Sequence, residues 1–286
     1  MSWQVIVSMI ETGTNPAALL QQGAIMSDLL LYEHPLSPYA QKVKIALREK
    51  AVPFEVRLPE GIGTGATAGG FAKANPRGEV PALIHGDVAI FDSTVILEYI
   101  EDVWPTPPML PPTAALRAKV RMIEDTMDTQ FEAITWGLGE LNFFKRAEGE
   151  LKQKMEGLAR QQAEAFFRML ETDLGDAEWF NGAHFGWGDL SVIPYLNGAA
   201  GFGIAPARNS RLSKWMDRAN ARESVTRARQ ESEASISGMT QVDQAVKLGL
   251  FKRQYRDHRL EWMMKSGGSE IVLGGMQAGN IRFTGP

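Results

Sequence analysis

The chain has 286 residues, 44% of them hydrophobic and 22% charged, with a net charge of −4 at pH 7 and no cysteine. That length suggests two domains and a sizeable buried core, and the mildly acidic balance gives no basis for nucleic acid or an anionic membrane as partner. Disulfides, protein thiolates and Cys-based zinc sites are excluded, and His34, His85, His184 and His258 form no metal-binding spacing, so no metal is expected. No apolar run reaches the ~20 residues needed to span a bilayer, and the lack of disulfides fits a cytoplasmic protein.

Residues 1–25 lack the basic n-region of a signal peptide, and Glu11 interrupts their short apolar run. Met26-Ser27 reads as a second start directly before LLLYEH, so residues 1–25 are expected to be a poorly ordered extension. LLLYEH (29–34) reads as a strand, and HPLSP turns the chain into the helix SPYAQKVKIALREK (37–50). Pro38 takes the first helical position, where its missing N–H costs nothing. Tyr39, Val43, Ala46 and Leu47 recur at helical spacing. FEVRL (54–58) is a second strand.

GIGTGATAGG (61–70) approaches a dinucleotide fingerprint at Gly61, Gly63 and Ala66. No long helical pattern follows it and no Lys-Ser/Thr pair completes a P-loop, so it reads as a surface loop. EVPALIHGDVAIFD (79–92) is a hairpin turning at His85-Gly86-Asp87. Ser93 then opens the helix STVILEYIEDVW, with Val95, Ile96, Tyr99, Ile100 and Val103 expected on its buried face. The proline-dense WPTPPMLPP (104–112) stops that helix. Residues 114–234 read as helical throughout. The tail carries VKLGLFKRQYRDHRLEWMMK, read either as a basic helix packing Leu248, Leu250, Phe251, Leu260 and Trp262 on the body, or as a lid or partner contact.

Ser37 admits more than one role. As a helix cap its oxygen accepts an orphan backbone N–H, worth about 1 kcal/mol. As a nucleophile it lacks a GxSxG elbow and an identifiable base. A third role is donation of its hydroxyl proton to an anion at the positive end of a helix. Depressing a bound thiol's pKa by about two units takes about 2.7 kcal/mol. A hydrogen bond to a charged group supplies roughly 1.5–3 kcal/mol, and the helix dipole about 0.3–1 more.

The succession of strand–SPYAQKVKIAL, NPRGEVPAL (75–83), DSTVILEYI (92–100), a proline-rich linker and a helical half resembles the cytosolic glutathione transferases over roughly residues 28–234. The resemblance implies a thioredoxin-like α/β domain followed by an all-helical domain: an extension (1–25), a glutathione-binding domain (26–104), a linker (105–113), a helical substrate domain (114–238) and a C-terminal extension packing on it (239–286). It implies glutathione as cosubstrate and Ser37 as the residue stabilising its thiolate, as in the serine-type classes. Val80-Pro81 matches the pair whose proline is cis and whose valine backbone binds the cysteinyl unit. Asp92 and Ser93 match the pair gripping the γ-glutamyl end. Tyr32 stands where tyrosine-type classes carry their thiolate-stabilising residue, and Lys73 and Arg77 are both candidates for the glycyl carboxylate.

Trp136, Phe143 and Phe144 fall where the resemblance places the electrophile pocket, although as plain helix core they would look the same. Gly186-Trp187-Gly188-Asp189 departs from the family's Ser/Thr-x-x-Asp box by lacking the capping side chain. The implied activity is conjugation of glutathione to a hydrophobic electrophile, or a related β-ether cleavage or dehalogenation, by a homodimer. The alternative is a non-catalytic binding or assembly module of the same fold.

Overall fold

A computed structural model describes residues 28–64, 69–239 and 242–283, so the expected N-terminal extension lies outside the described residues. The first half runs β1 (Leu29–Tyr32), α1 (Pro38–Glu49), β2 (Glu55–Arg57), α2 (Gly69–Ala74), β3 (Ala82–His85), β4 (Val88–Phe91) and α3 (Ser93–Val103). The sheet order is β2-β1-β3-β4, with β2 parallel to β1 and the other pairs antiparallel. Side chains alternate across each strand. Leu29 and Leu31 therefore face Val43 and Leu47 of α1 and Ile96 and Ile100 of α3, whereas Tyr32 and Ala82 face Phe71 of α2. Helices on both faces of a small mixed sheet make this half thioredoxin-like.

Local chemistry sets the helix ends. Ser37 caps α1, accepting the Ala40 N–H at 3.3 Å, and Pro38 follows at the first position. Asp92, not Ser93, caps α3, accepting the Thr94 N–H at 3.0 Å. The register of α3 also differs from expectation. Ile96, Leu97 and Ile100 are buried, while Val95 and Val103 are exposed. The apolar pattern is wide enough to suit two overlapping faces, and contact with the sheet selects one.

The second half holds α4 (Ala114–Thr126), a π-helical turn (Met127–Phe131), α5 (Glu132–Asn142), α6 (Gly149–Leu174), α7 (Trp187–Gly201), α8 (Arg211–Asn220) and α9 (Glu223–Ile236). α1 packs on α7 and α9. Buried ion pairs join the halves. Lys42 Nζ lies 2.7 Å from Glu124 Oε1 and 2.6 Å from Asp128 Oδ2. Within the first half, Lys50 Nζ lies 2.7 Å from Glu101 Oε2 and donates to the Trp104 and Pro107 carbonyls, which pins the proline-rich connection.

The Gly186 departure has a structural answer. Asp189 Oδ2 accepts the Gly186 N–H at 3.0 Å, while Asn181 Oδ1 accepts the Gly188 N–H at 3.3 Å. A Cβ on Gly186 would lie 2.1 Å from Asn181 Nδ2 and 2.4 Å from the Met109 carbonyl. The Asn181 amide thus takes the place of the missing capping side chain. Burial raises the Asp189 carboxyl to about 6 despite donation from Trp215 and the Phe180, Gly186 and Asn181 N–H groups.

The tail does not form one basic helix. α10 (Val242–Lys247) stops before Gly249 at φ +70°; β5 (Arg253–Gln254), α11 (Asp257–Lys265), α12 (Ser269–Gln277) and β6 (Ile281–Arg282) follow. Leu248 and Leu250, expected to pack on the body, are exposed, whereas Trp262 is buried and Leu260 packs on the core. α11 lies against α5, where Gly137 lets the Trp262 ring approach the helix backbone.

Candidate active site

A cavity of about 1170 Å³ opens between the two halves. Its floor is built where three chain segments meet. Ser37 arrives from β1 at the N-terminus of α1, Val80 and Pro81 precede β3, and Asp92 and Ser93 follow β4. All five residues line the cavity. The Ser37 oxygen accepts from Ala40, but no described residue accepts its proton. The Val80–Pro81 bond is cis, and the Val80 N–H and C=O have no hydrogen-bond partner among the described residues. Asp92 sits at φ +77°, a region non-glycine residues seldom occupy. Its caps to Thr94 and Val95 hold it there, and Ser93 is buried beside it.

The other candidates separate. Tyr32 is outside the cavity lining; it is buried, with its ring 5.3 Å from Phe71. Arg77 lines the cavity and Lys73 does not. The Arg77 N–H donates to Asn75 Oδ1 at 2.9 Å, and its guanidinium lies over the Phe91 ring. His34 lines the cavity as well; burial, then Lys44 and Arg253, lower its pKa.

Trp136, Phe143 and Phe144 line the side of the cavity toward α5. Below them lies a network that sequence reasoning missed. Asp128, on the π-helical turn, binds Lys42 and accepts the Tyr195 hydroxyl at 2.5 Å, and its carbonyl accepts the Tyr39 hydroxyl at 2.7 Å. Burial outweighs Lys42 and raises the Asp128 carboxyl to about 6. A π turn widens the helix by one residue and is frequent at functional sites. The second missed contribution is the tail. Phe251 stacks on Phe144 with centroids 5.8 Å apart, and Arg253 pairs with Glu140. Arg259 and His258 pair with Glu132, holding its carboxyl down to about 2 although burial alone would raise it. The basic run at 252–259 was the available signal, but its partners lie more than a hundred residues away.

The family described as "Glutathione S-transferase, N-terminal domain" matches residues 31–108, and its C-terminal domain counterpart matches residues 113–218. The chain belongs to the glutathione S-transferase family. This transferase is 31% identical over 219 residues to glutathione S-transferase U28 of Arabidopsis thaliana, covering 72% of this chain and 91% of the relative. It is 28% identical to a probable glutathione S-transferase of Oryza sativa subsp. japonica, over 70% and 88% of the two chains. Among solved structures, a glutathione S-transferase from Rhodospirillum rubrum F11 superposes with a TM-score of 0.60 at 28% identity, over 70% of this chain and 91% of the other. A rice enzyme crystallised in complex with glutathione gives a TM-score of 0.60 at 25% identity, over 75% and 97%. The chain is thus a glutathione transferase, with glutathione as its cosubstrate. Among the described residues no helix is long and apolar enough to cross a membrane, and no three His, Asp or Glu side chains are grouped as a metal site requires.

Proposed function

We propose that this transferase holds the thiolate of glutathione at Ser37 and directs it at an electrophilic carbon of a hydrophobic acceptor. The observation that carries the reading is the uncommitted Ser37 hydroxyl proton, presented at a helix N-terminus on the floor of the cavity. The hydroxyl donates to the sulfur while the α1 dipole adds to the anion's stabilisation. The cysteinyl backbone pairs with the free N–H and C=O of Val80, as an added strand would. The γ-glutamyl ammonium faces Asp92, and its carboxylate meets Ser93 at the start of α3. The thiol proton leaves to solvent. The sulfur lone pair then forms the C–S bond as the leaving group departs with its bonding electrons, or as the electrophilic π bond takes them.

The acceptor lies against the α5 side of the cleft, where Phe143 is half-buried and Trp136 and Phe144 are backed by the tail residues Tyr255 and Phe251, a wall suited to an apolar body. Holding both reactants in one cleft supplies much of the remaining acceleration. Dehalogenation and β-ether cleavage follow from the same attack with different leaving groups. We further propose a cytoplasmic homodimer serving detoxification.

The test is a pH titration of bound glutathione, followed by thiolate ultraviolet absorbance, in the wild type and in Ser37→Ala. The expected result is a depressed thiol pKa that returns by about two units in the variant, the shift worth about 2.7 kcal/mol. A pKa shifted equally in both proteins would reduce Ser37 to a cap. Glutathione bound with an unshifted thiol would favour a binding module.

A further inference from the structure

The tail brings five cations to the cavity wall: Lys252, Arg253, Arg256, Arg259 and Arg282. Three carboxylates meet them, and each is already engaged. Glu140 pairs with Arg253, Glu132 with Arg259, and Glu79 with Arg256 at 3.6 Å. Asp257 is almost fully exposed and lies against His258. Among the described residues, Lys252 and Arg282 have no carboxylate within 4.0 Å. Arg282 is the more telling of the two. Its guanidinium is partly buried and donates to the Gly78 carbonyl at 3.4 Å and to Gln254 Oε1 at 3.0 Å. Its Nε is buried with no hydrogen-bond partner among the described residues. Burial, opposed by Glu79 but reinforced by Arg259 and Arg253, lowers its pKa. A desolvated cation beside other cations is costly unless an anion joins it.

The position of these groups is as specific as their charge. Asp92 and Ser93 lie at the β4 edge of the sheet, Val80 and Ser37 near its middle, and the loop ending in Ile62 and Gly63 follows β2 at the opposite edge. There Lys252 N–H donates to the Gly63 carbonyl at 2.5 Å, and the Phe251 ring occupies the space that a Cβ on Gly63 would take. Arg77, by contrast, lies over Phe91 on β4. The matched family domains end at residue 218, so both cations come from chain beyond them.

We propose that Lys252, beside the loop after β2, and Arg282, beside Gly78 ahead of β3, form a carboxylate-binding subsite on the tail-lined wall of the cleft, supplied in this chain by its C-terminal segment. This rests on the reading of the cleft as a glutathione site. The carboxylate has two sources, the glycyl end of glutathione or an acid group on the acceptor.

The test uses the full chain and the variants Arg282→Gln and Lys252→Met, with Arg282→Lys keeping the charge. Among the described residues Lys252 makes no side-chain hydrogen bond, so that variant removes no such contact. Calorimetry measures the binding of glutathione, its glycyl monoethyl ester and, with no glutathione present, 4-chloro-3-nitrobenzoate and the neutral 1-chloro-2,4-dinitrobenzene. If the glycyl carboxylate occupies the subsite, Arg282→Gln and Lys252→Met weaken glutathione about tenfold or more and leave the ester unchanged, while Arg282→Lys retains most of the affinity. If an acceptor acid occupies it, the benzoate weakens by the same factor and the neutral arene does not. Unchanged affinity for both anions, or equal loss for charged and neutral ligands, overturns the proposal. Wild type that binds no glutathione refutes the glutathione reading alone, and the benzoate arm then decides this one.

Discussion

Gly137→Ala provides a test of how the tail is docked, because its sign depends on one side chain. In an exposed helix interior, exchanging Gly for Ala stabilises by about 1 kcal/mol through the lost chain entropy of glycine. Here the added Cβ would lie 2.2 Å from a Trp262 ring atom and 2.6 Å from two others. Trp262 is 3% exposed and donates to Gln162 Oε1 at 3.0 Å. The ring must shift or leave, and over-packing of this kind costs about 1–3 kcal/mol. The single variant is therefore expected to be destabilised by about 1–2 kcal/mol in urea unfolding, with faster proteolysis of the tail. In a Trp262→Ala background the obstacle is gone, and the same Gly137→Ala change is expected to stabilise by up to about 1 kcal/mol. An effect of the same sign and size in both backgrounds would refute the packing argument.

Three further outcomes follow from particular contacts. Gly186→Ser is expected to destabilise by about 1–3 kcal/mol in chemical denaturation, since its Cβ meets Asn181 and the Met109 carbonyl although φ −169° suits any residue; wild-type stability would show that Asn181 does not fill that space. Glu132→Gln leaves Arg259 buried without its carboxylate and should cost about 3–5 kcal/mol at neutral pH. Because the folded Glu132 pKa is depressed from 4.5 to about 2, its contribution is present above about pH 4.5 and is lost as pH falls toward 2. The gap between wild type and Glu132→Gln, measured by urea unfolding across that range, is expected to close. Tyr32→Phe should leave the titration of bound glutathione as in the wild type, because Tyr32 faces Phe71 and not the cavity; a raised thiol pKa would contradict that placement.

Much of the first half was legible because its signals are local. The Ser37-Pro38 start of α1, the His85–Asp87 turn and the Asp92-Ser93 start of α3 each depend on residues within a few positions. Ser37, Val80, Pro81, Asp92 and Ser93 could be named together because the order of their motifs resembles a known family. The face of a residue was harder to read. Tyr32 and Ser37 were both candidates, and strand alternation against Phe71 separates them. Val95 fits the apolar pattern of α3 as well as Ile96 does, yet the sheet buries only Ile96. Asn181 gave no sign of serving the Gly186 cap, since its role requires the Met109 carbonyl 72 residues earlier.

Sequence alone determined the absence of cysteine chemistry and most elements of the first half, because propensity, capping and turn chemistry act over neighbouring residues, while the motif set on the cavity floor was named through its resemblance to a known family. The tertiary structure decided what surrounds that floor. Lys42 meets Asp128 across 86 positions, Arg253 meets Glu140 across 113, and Arg259 meets Glu132 across 127. Such pairs form only when packing brings distant helices together and leaves each buried charge a counter-charge within reach. Among the described residues the same packing left Arg282 with no carboxylate within 4.0 Å and turned a basic tail into part of the cleft.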